Sequence, residues 1–314
     1  MGRGLSDTFL DALENDPVLG IHRIREAVRD DSSLCLEIRE NYINVYYRGG
    51  NILKLSEIRG KYFPDFNTKY VVNNARKTKL MKLPKEFLSS ADVDAWLDEI
   101  PLLKYEMDLW FGTHPKNERE FQQLIVRENN FCGSAKGTDY FICDIEYANG
   151  GGRFDLVAAY WPSSGSARKN NENVGLALIE LKYMDGALSG ASGMIDHINK
   201  AEKYLDSTTH NLALLKEEMI TVFKQKTKLG LIDNKKHIAK FSDAKPEFIF
   251  ILANHDPDSS ILGKELKNIS TKNQAELPFD IKFAVSNFMG YGLYKQNIYN
   301  LQEFQQRFAK QIFA

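Results

Sequence analysis

Ile179-Glu180-Leu181-Lys182-Tyr183 is the stretch whose reading decides the fold. Strand alternation sets Glu180 and Lys182 side by side on one face and turns Ile179, Leu181 and Tyr183 to the other. Leu178 and Met184 extend the apolar character onto the charged face, so the strand reads as central and covered on both sides. A carboxylate and an ammonium in such a place need partners, because burying unpaired charge is expensive. Asp155 poses the same problem. It sits beside Phe154 at the head of Leu156-Val157-Ala158-Ala159-Tyr160-Trp161, an otherwise uninterrupted apolar run. An ion pair between Glu180 and Lys182 on a half-exposed strand, worth roughly 0–1 kcal/mol, accounts for those two residues and leaves Asp155 unexplained.

The segments around these strands alternate between helical and strand periodicity. Val93, Trp96, Leu97, Ile100 and Leu103 predict a helix from Ala91 to Phe111, with Pro101 as a kink or boundary. A second helix runs from Glu118 to Asn129, with Asn117 as N-cap and Glu120 three places on. Strands are predicted over Asp139 to Tyr147 and Arg153 to Trp161, joined by a turn at Asn149-Gly150-Gly151-Gly152. Val174 to Tyr183 follows a Ser/Asn-rich loop at 162–173. Helices over Ser192 to Leu205 and Leu212 to Lys226, then strands over Glu247 to Ala253 and Ile281 to Val285, complete the order helix, three strands, helix, strand. Before them stand a short amphipathic helix carrying Phe9, Leu10 and Leu13, and strands at 34–40 and 42–48 with a turn at Arg48-Gly49-Gly50-Asn51. The expectation is an N-terminal β-rich accessory unit, 1–85, and an α/β domain, 86–314, built on a mixed sheet flanked by helices.

Two carboxylates converging from neighbouring strands, with a lysine beside one of them, suit a hard cation. Mg²⁺, or Mn²⁺ in its place, takes one or two protein carboxylates and completes its shell with water and substrate phosphate. The metal stabilises charge in the transition state and the lysine orients or helps deprotonate the attacking water, so the reaction class is phosphodiester hydrolysis. In these residues and in its element order, over roughly 116 to 290, the chain resembles the PD-(D/E)xK nuclease superfamily, the restriction-endonuclease-like fold. The resemblance implies that Asp155, Glu180 and the Leu181 carbonyl hold the metal and that Lys182 is the catalytic lysine. It also implies a glutamate from the preceding helix, Glu118 or Glu120, with Glu118 favoured by the Glu-x-x-Phe-Gln pattern at 118–122. DNA is then a better expectation than RNA. The same residues are compatible with a catalytically silent module that binds nucleic acid or a protein partner. Two features depart from the pattern: Phe154 stands where the family's name has proline, and 25 positions separate Asp155 from Glu180, a gap the 162–173 loop must absorb.

Composition bounds these readings. Hydrophobic content of 43% and charged content of 26% are those of an ordinary globular chain. With 41 Lys plus Arg against 42 Asp plus Glu, no global basic excess advertises nucleic acid, so contact must come from a local patch. Lys200 and Lys203 on the helix after the lysine strand are candidates. So are Lys224, Lys226 and Lys228, within a run from Lys216 to Lys245 that holds eight lysines against four acids. A solvated helix face is the competing explanation of that run. His197, beside Asp196 on the same helix as Lys200, either faces the site or is a plain surface residue.

The three cysteines, Cys35, Cys132 and Cys143, form no CxxC pair, which argues against a structural zinc and for buried thiols in a reducing cytoplasm. No run reaches the roughly 18 apolar residues of a spanning helix, so no membrane partner is expected. An oligomer is compatible with the sequence. No HExxH, Walker or Rossmann pattern occurs. A Schiff-base role for Lys182 would need an apolar pocket, and the adjacent acids argue against it.

Overall fold

The computed structural model describes residues 2–130, 137–234, 236–255, 260–286, 293 and 295–308. Within them the chain is mixed α/β, with two sheets and nine α-helices. Contacts divide it into two compact units, 1–123 with 221–232, and 124–220 with 233–314. No helix among the described residues is long and apolar enough to cross a membrane.

The first unit opens with α1 (Asp7–Glu14) and α2 (His22–Asp30). A four-stranded antiparallel meander follows: β1 (Leu34–Ile38), β2 (Tyr42–Tyr47), β3 (Gly50–Ile58) and β4 (Lys61–Asp65). Arg48 and Gly49 both have positive φ, as a two-residue turn joining twisted strands requires, and Tyr47 pairs with Gly50 across it. A Cβ on Gly49 would lie 2.3 Å from that of Arg119, so the turn is held to glycine by contact as well as by conformation. After α3 (Asn74–Leu80), α4 (Ser90–Thr113) runs unbroken through Pro101. The helix buries Val93, Trp96, Leu103, Met107 and Phe111, which offset the hydrogen bond that the proline removes.

That burial also moves the unit boundary. α4 packs on α2 and β3, and Tyr70 meets Trp110 edge-on at 5.1 Å, so the helix belongs with the β-rich unit and the expected division at 85 falls inside it. The start of α5 (Asn117–Asn130) is tied in by Gln123, which accepts from the Gly49 N–H and donates to the Ser33 and Tyr46 carbonyls.

The second unit is built on a six-stranded mixed sheet in the order β10-β9-β8-β7-β6-β5. β5 (Tyr140–Asn149), β6 (Gly152–Tyr160) and β7 (Gly175–Tyr183) form an antiparallel meander. β8 (Glu247–Ala253) and β9 (Asp280–Ser286) then run parallel to β7, and the short β10 (Ile298–Asn300) closes the edge antiparallel to β9. β7 and β8 are buried almost throughout, as their continuous apolar runs require. Helices α6 (Met194–Tyr204), α8 (Ser260–Ser270) and α9 (Leu301–Phe308) pack in series. Phe304 of α9 stacks on Phe283, which stacks on Phe250, and this fixes α9 to the face that carries Phe250. On the far edge, the Asn130 side chain donates to the Ile142 carbonyl and accepts its N–H, replacing a missing strand partner. Sequence periodicity misses α8, α9 and β10.

Of the basic run, Lys226 contradicts its assignment to a nucleic-acid surface. Its Nζ is buried and lies 2.8 and 2.7 Å from the two carboxylate oxygens of Glu37. α7 (Asn211–Lys228) carries Phe223 and Val222 into the core, and Lys226 follows them inward because Glu37 is buried opposite. Lys228 pairs with Asp11 and Glu14, Lys240 with Asp243, and Lys216 donates to the Ser242 carbonyl. Lys224 remains exposed, and Lys235 lies outside the described residues. Cys35, beside Glu37, is buried and its thiol is pushed well up by desolvation and by that carboxylate. Cys143 is likewise buried, its thiol donating to the Phe141 carbonyl at 3.9 Å, and Cys132 lies outside the described residues.

Removing one partner of a buried pair strands the other charge. Lys226→Met should therefore lower the free energy of unfolding in urea by about 3–5 kcal/mol, and Glu37→Leu added to Lys226→Met should recover most of it. A single variant as stable as the wild type would show that the pair is not what holds Glu37 in the core.

Candidate active site

The β6–β7 ladder ends at the pair Leu156↔Ile179, although both strands continue beyond it. One step further the register sets Asp155 against Glu180. There the backbone bond is replaced: Asp155 Oδ2 accepts from the Leu181 N–H at 2.9 Å. The strand pair thus hands over to a side chain at the point where the charged residues begin. β7 continues alongside β8, with Glu180 paired to Phe250 and Lys182 to Leu252, so both charged residues stand on a strand with neighbours still in place.

Glu180 and Lys182 are both nearly inaccessible, at 1% and 3% exposure. Lys182 Nζ lies 3.8 Å from Glu180 Oε2. His197 of α6 approaches the same oxygen, with Nδ1 at 2.8 Å. Burial and the Lys182 ammonium hold this imidazole down at about 4, so it is neutral near pH 7. Asp155 is pushed up to about 8, first by burial and then by the Glu180 charge, with Lys182 and the Leu181 N–H acting against the rise. Glu146 of β5 adds to the crowding. It lies across from Asp155, between the pairs Ile145↔Leu156 and Tyr147↔Phe154, with φ at 52°.

Asp155, Glu180 and Lys182 therefore meet, joined by Leu181 through its N–H. Of the other expected residues, Glu118 and Glu120 belong to the first unit. Glu120 is bonded there to Arg48 at 3.1 Å, and Glu118 is half-buried. Lys200 is exposed and paired with Asp196 at 2.6 Å, and Lys203 is exposed. Phe154 packs against Tyr147, Tyr204 and Phe248 and so anchors the strand end.

Sequence reasoning left His197 undecided and passed over Glu146. The helical register of α6, with Met194, Ile198 and Ala201 buried, sets His197 next to the core face and was a usable signal. For Glu146 no comparable signal exists, because its backbone departs from strand geometry.

Among the described residues no three His, Cys, Asp or Glu side chains are close enough to hold a metal unaided. The donor set is nonetheless of the kind Mg²⁺ takes: the carboxylate oxygens of Asp155 and Glu180, with the Leu181 backbone carbonyl next after Glu180 in sequence, and no sulfur. Two carboxylates pressed together in a buried place, one of them holding its proton for lack of compensation, form a site that a divalent cation would relieve. The chain matches no protein-family profile, no curated protein and no solved structure.

Asp155 keeps its proton to about pH 8 in the fold, whereas an unfolded aspartate releases it near 4. Unfolding between those values releases a proton, so this group makes stability fall as pH rises through that window. In metal-free buffer, Asp155→Asn should gain stability relative to the wild type as pH goes from about 4 to about 8, measured by urea unfolding at each pH. A constant difference across the window would mean that Asp155 is ionised throughout.

Proposed function

We propose that the second unit is a metal-dependent nuclease domain of the restriction-endonuclease-like kind, hydrolysing phosphodiester bonds in nucleic acid, with DNA as the expected substrate. The observation that carries this reading is the meeting of Asp155, Glu180 and Lys182 where the β6–β7 ladder stops and β7 goes on with β8. Support also comes from the element order, since α5, β5–β6–β7, α6 and, after the added α7, β8 follow the helix, three strands, helix, strand sequence of that family.

Asp155, Glu180 and the Leu181 carbonyl would hold Mg²⁺ or Mn²⁺, which when bound supplies Lewis-acid stabilisation of charge on the phosphoryl oxygens. The protein's own groups do the rest. Lys182 presents a buried ammonium beside Glu180, suited to orienting an attacking water and to offsetting charge that builds on the phosphate in the transition state. His197 stands with Nδ1 2.8 Å from Glu180 Oε2 and so limits where that carboxylate can turn. The Leu181 N–H does the same for Asp155.

Incubation of the full chain with DNA and Mg²⁺ or Mn²⁺ should give hydrolysis. Lys182→Ala should slow the single-turnover rate by about 10²–10⁴-fold while leaving DNA affinity within a few-fold. Absence of cleavage with either metal, alongside binding that weakens with salt, would replace this reading with the silent nucleic-acid-binding module. Equal loss of rate and affinity in Lys182→Ala would show that the lysine is a structural partner of Glu180.

A further inference from the structure

α4 carries apolar residues on two sides. Val93, Trp96, Leu103, Met107 and Phe111 are buried on one of them, while the opposite stripe, Asp98, Leu102, Tyr105, Leu109 and Gly112, is exposed. The five positions recur at alternating steps of four and three, so they fall within about 40° of one line along the helix and span about 21 Å of it. The side chains of Leu102, Tyr105 and Leu109 are on residues 44%, 59% and 51% exposed. One exposed leucine is ordinary on a protein surface. Three large apolar groups in consecutive turns are not, because the outer face of a helix packed on a core is expected to be polar.

The ends of the stripe carry two charges that find no partner. Asp98 closes it on the N-terminal side, and Lys116 stands exposed just past the C-terminal end of the helix. Among the described residues neither side chain has a hydrogen bond or an ion pair. The other charges on the flanks of α4 are answered within the unit: Asp94 by Arg23, Lys104 by Asp31, and Asp108 by Arg48 and Tyr47. Gly112 leaves a gap in the stripe, since a Cβ there would meet nothing within 4 Å. Glycine costs a helix interior about 1 kcal/mol relative to alanine, and no neighbour among the described residues requires it here.

Asp98, Leu102 and Tyr105 mirror Lys116, Gly112 and Leu109 about the level of Met107. A two-fold axis crossing α4 at that level lays a second α4 antiparallel on the first. Tyr105 then meets the partner's Leu109, Leu102 meets the partner's Gly112, and Asp98 comes to the partner's Lys116, each contact being made twice. The leucine enters the gap that the glycine leaves, and the open charges are answered at both ends. A parallel pair would bring Asp98 onto Asp98 and glycine onto glycine, so the pattern selects the antiparallel arrangement. We propose that α4 is the contact face of a homodimer, in which a second copy of this chain packs antiparallel across Leu102, Tyr105 and Leu109. This contact draws on the first unit alone and stands whether or not the second unit hydrolyses anything.

Sedimentation equilibrium of the full chain at micromolar concentrations tests it. The wild type should show a reversible monomer–dimer equilibrium. Tyr105→Glu and Leu109→Glu, both at exposed positions, should each weaken the dimer tenfold or more with an unchanged circular dichroism spectrum. Asp98→Lys and Lys116→Asp should each weaken it threefold or more, and the two together should return it to within about twofold of the wild type, because the exchanged charges meet again. A monomer at every concentration would overturn the proposal and leave the stripe to a partner of another kind. So would a dimer of unchanged affinity in both Tyr105→Glu and Leu109→Glu, since it would be built on another surface. A charge-exchanged double variant no tighter than either single one would overturn the antiparallel pairing.

Discussion

The hydrogen bond from the Leu181 N–H to Asp155 Oδ2 is the joint on which the second unit's charged centre depends. A central strand cannot leave a backbone N–H without a partner. Here β6 stops bonding to β7 after Leu156, and a carboxylate takes over the next bond. The substitution has two results. It satisfies β7, which continues with β8 as a buried strand. It also holds Asp155 beside Glu180 at the point where the β6–β7 ladder ends.

Once that joint is made, the electrostatics follow. Two carboxylates and an ammonium share a poorly solvated place, and the neutral His197 stands beside Glu180 without adding charge. Such a cluster is a costly way to hold a sheet together, since apolar residues of the same size would pack there at lower cost. Its retention is intelligible if a cation and a phosphate complete it. The first unit offers a contrast: Glu37 and Lys226 are buried just as deeply, yet Glu37 takes two bonds below 3 Å from Lys226 and has Arg39 at 4.0 Å, so its charge is fully answered. Depth of burial alone does not separate a site from a staple. What separates them is which charge is in excess: two carboxylates share one ammonium at Glu180, whereas two cations answer Glu37.

Much of the second unit was legible in the sequence because its strands are apolar without interruption. Glu247 to Ala253 is a strand with the bounds that its composition implies, and the glycines at 150 and 151 have the positive φ that their hairpin requires. Asp155 and Glu180 stood out because acids are rare in such runs. Other features were hidden for physical reasons. Lys226 looked like part of a basic surface because charge counted along the chain takes no account of a partner 189 positions away. Pro101 suggested a helix boundary, yet the apolar face on either side of it was wide enough to carry α4 through. The compact units divide at 123 rather than at 85, because α4 packs with the elements before it. Its attachment to the meander rests on Tyr70, Trp110 and Phe111 meeting in space.

The central claim is that Asp155 and Glu180 act together on one divalent cation in the presence of a phosphate. Electron paramagnetic resonance of Mn²⁺ titrated into the full chain with an uncleavable phosphorothioate DNA addresses it without relying on turnover. The wild type should hold Mn²⁺ more tightly with the DNA than without it, because substrate oxygen completes the shell, and Asp155→Ala and Glu180→Ala should each abolish that gain. Mn²⁺ binding that is the same in the wild type and in both variants would contradict the account.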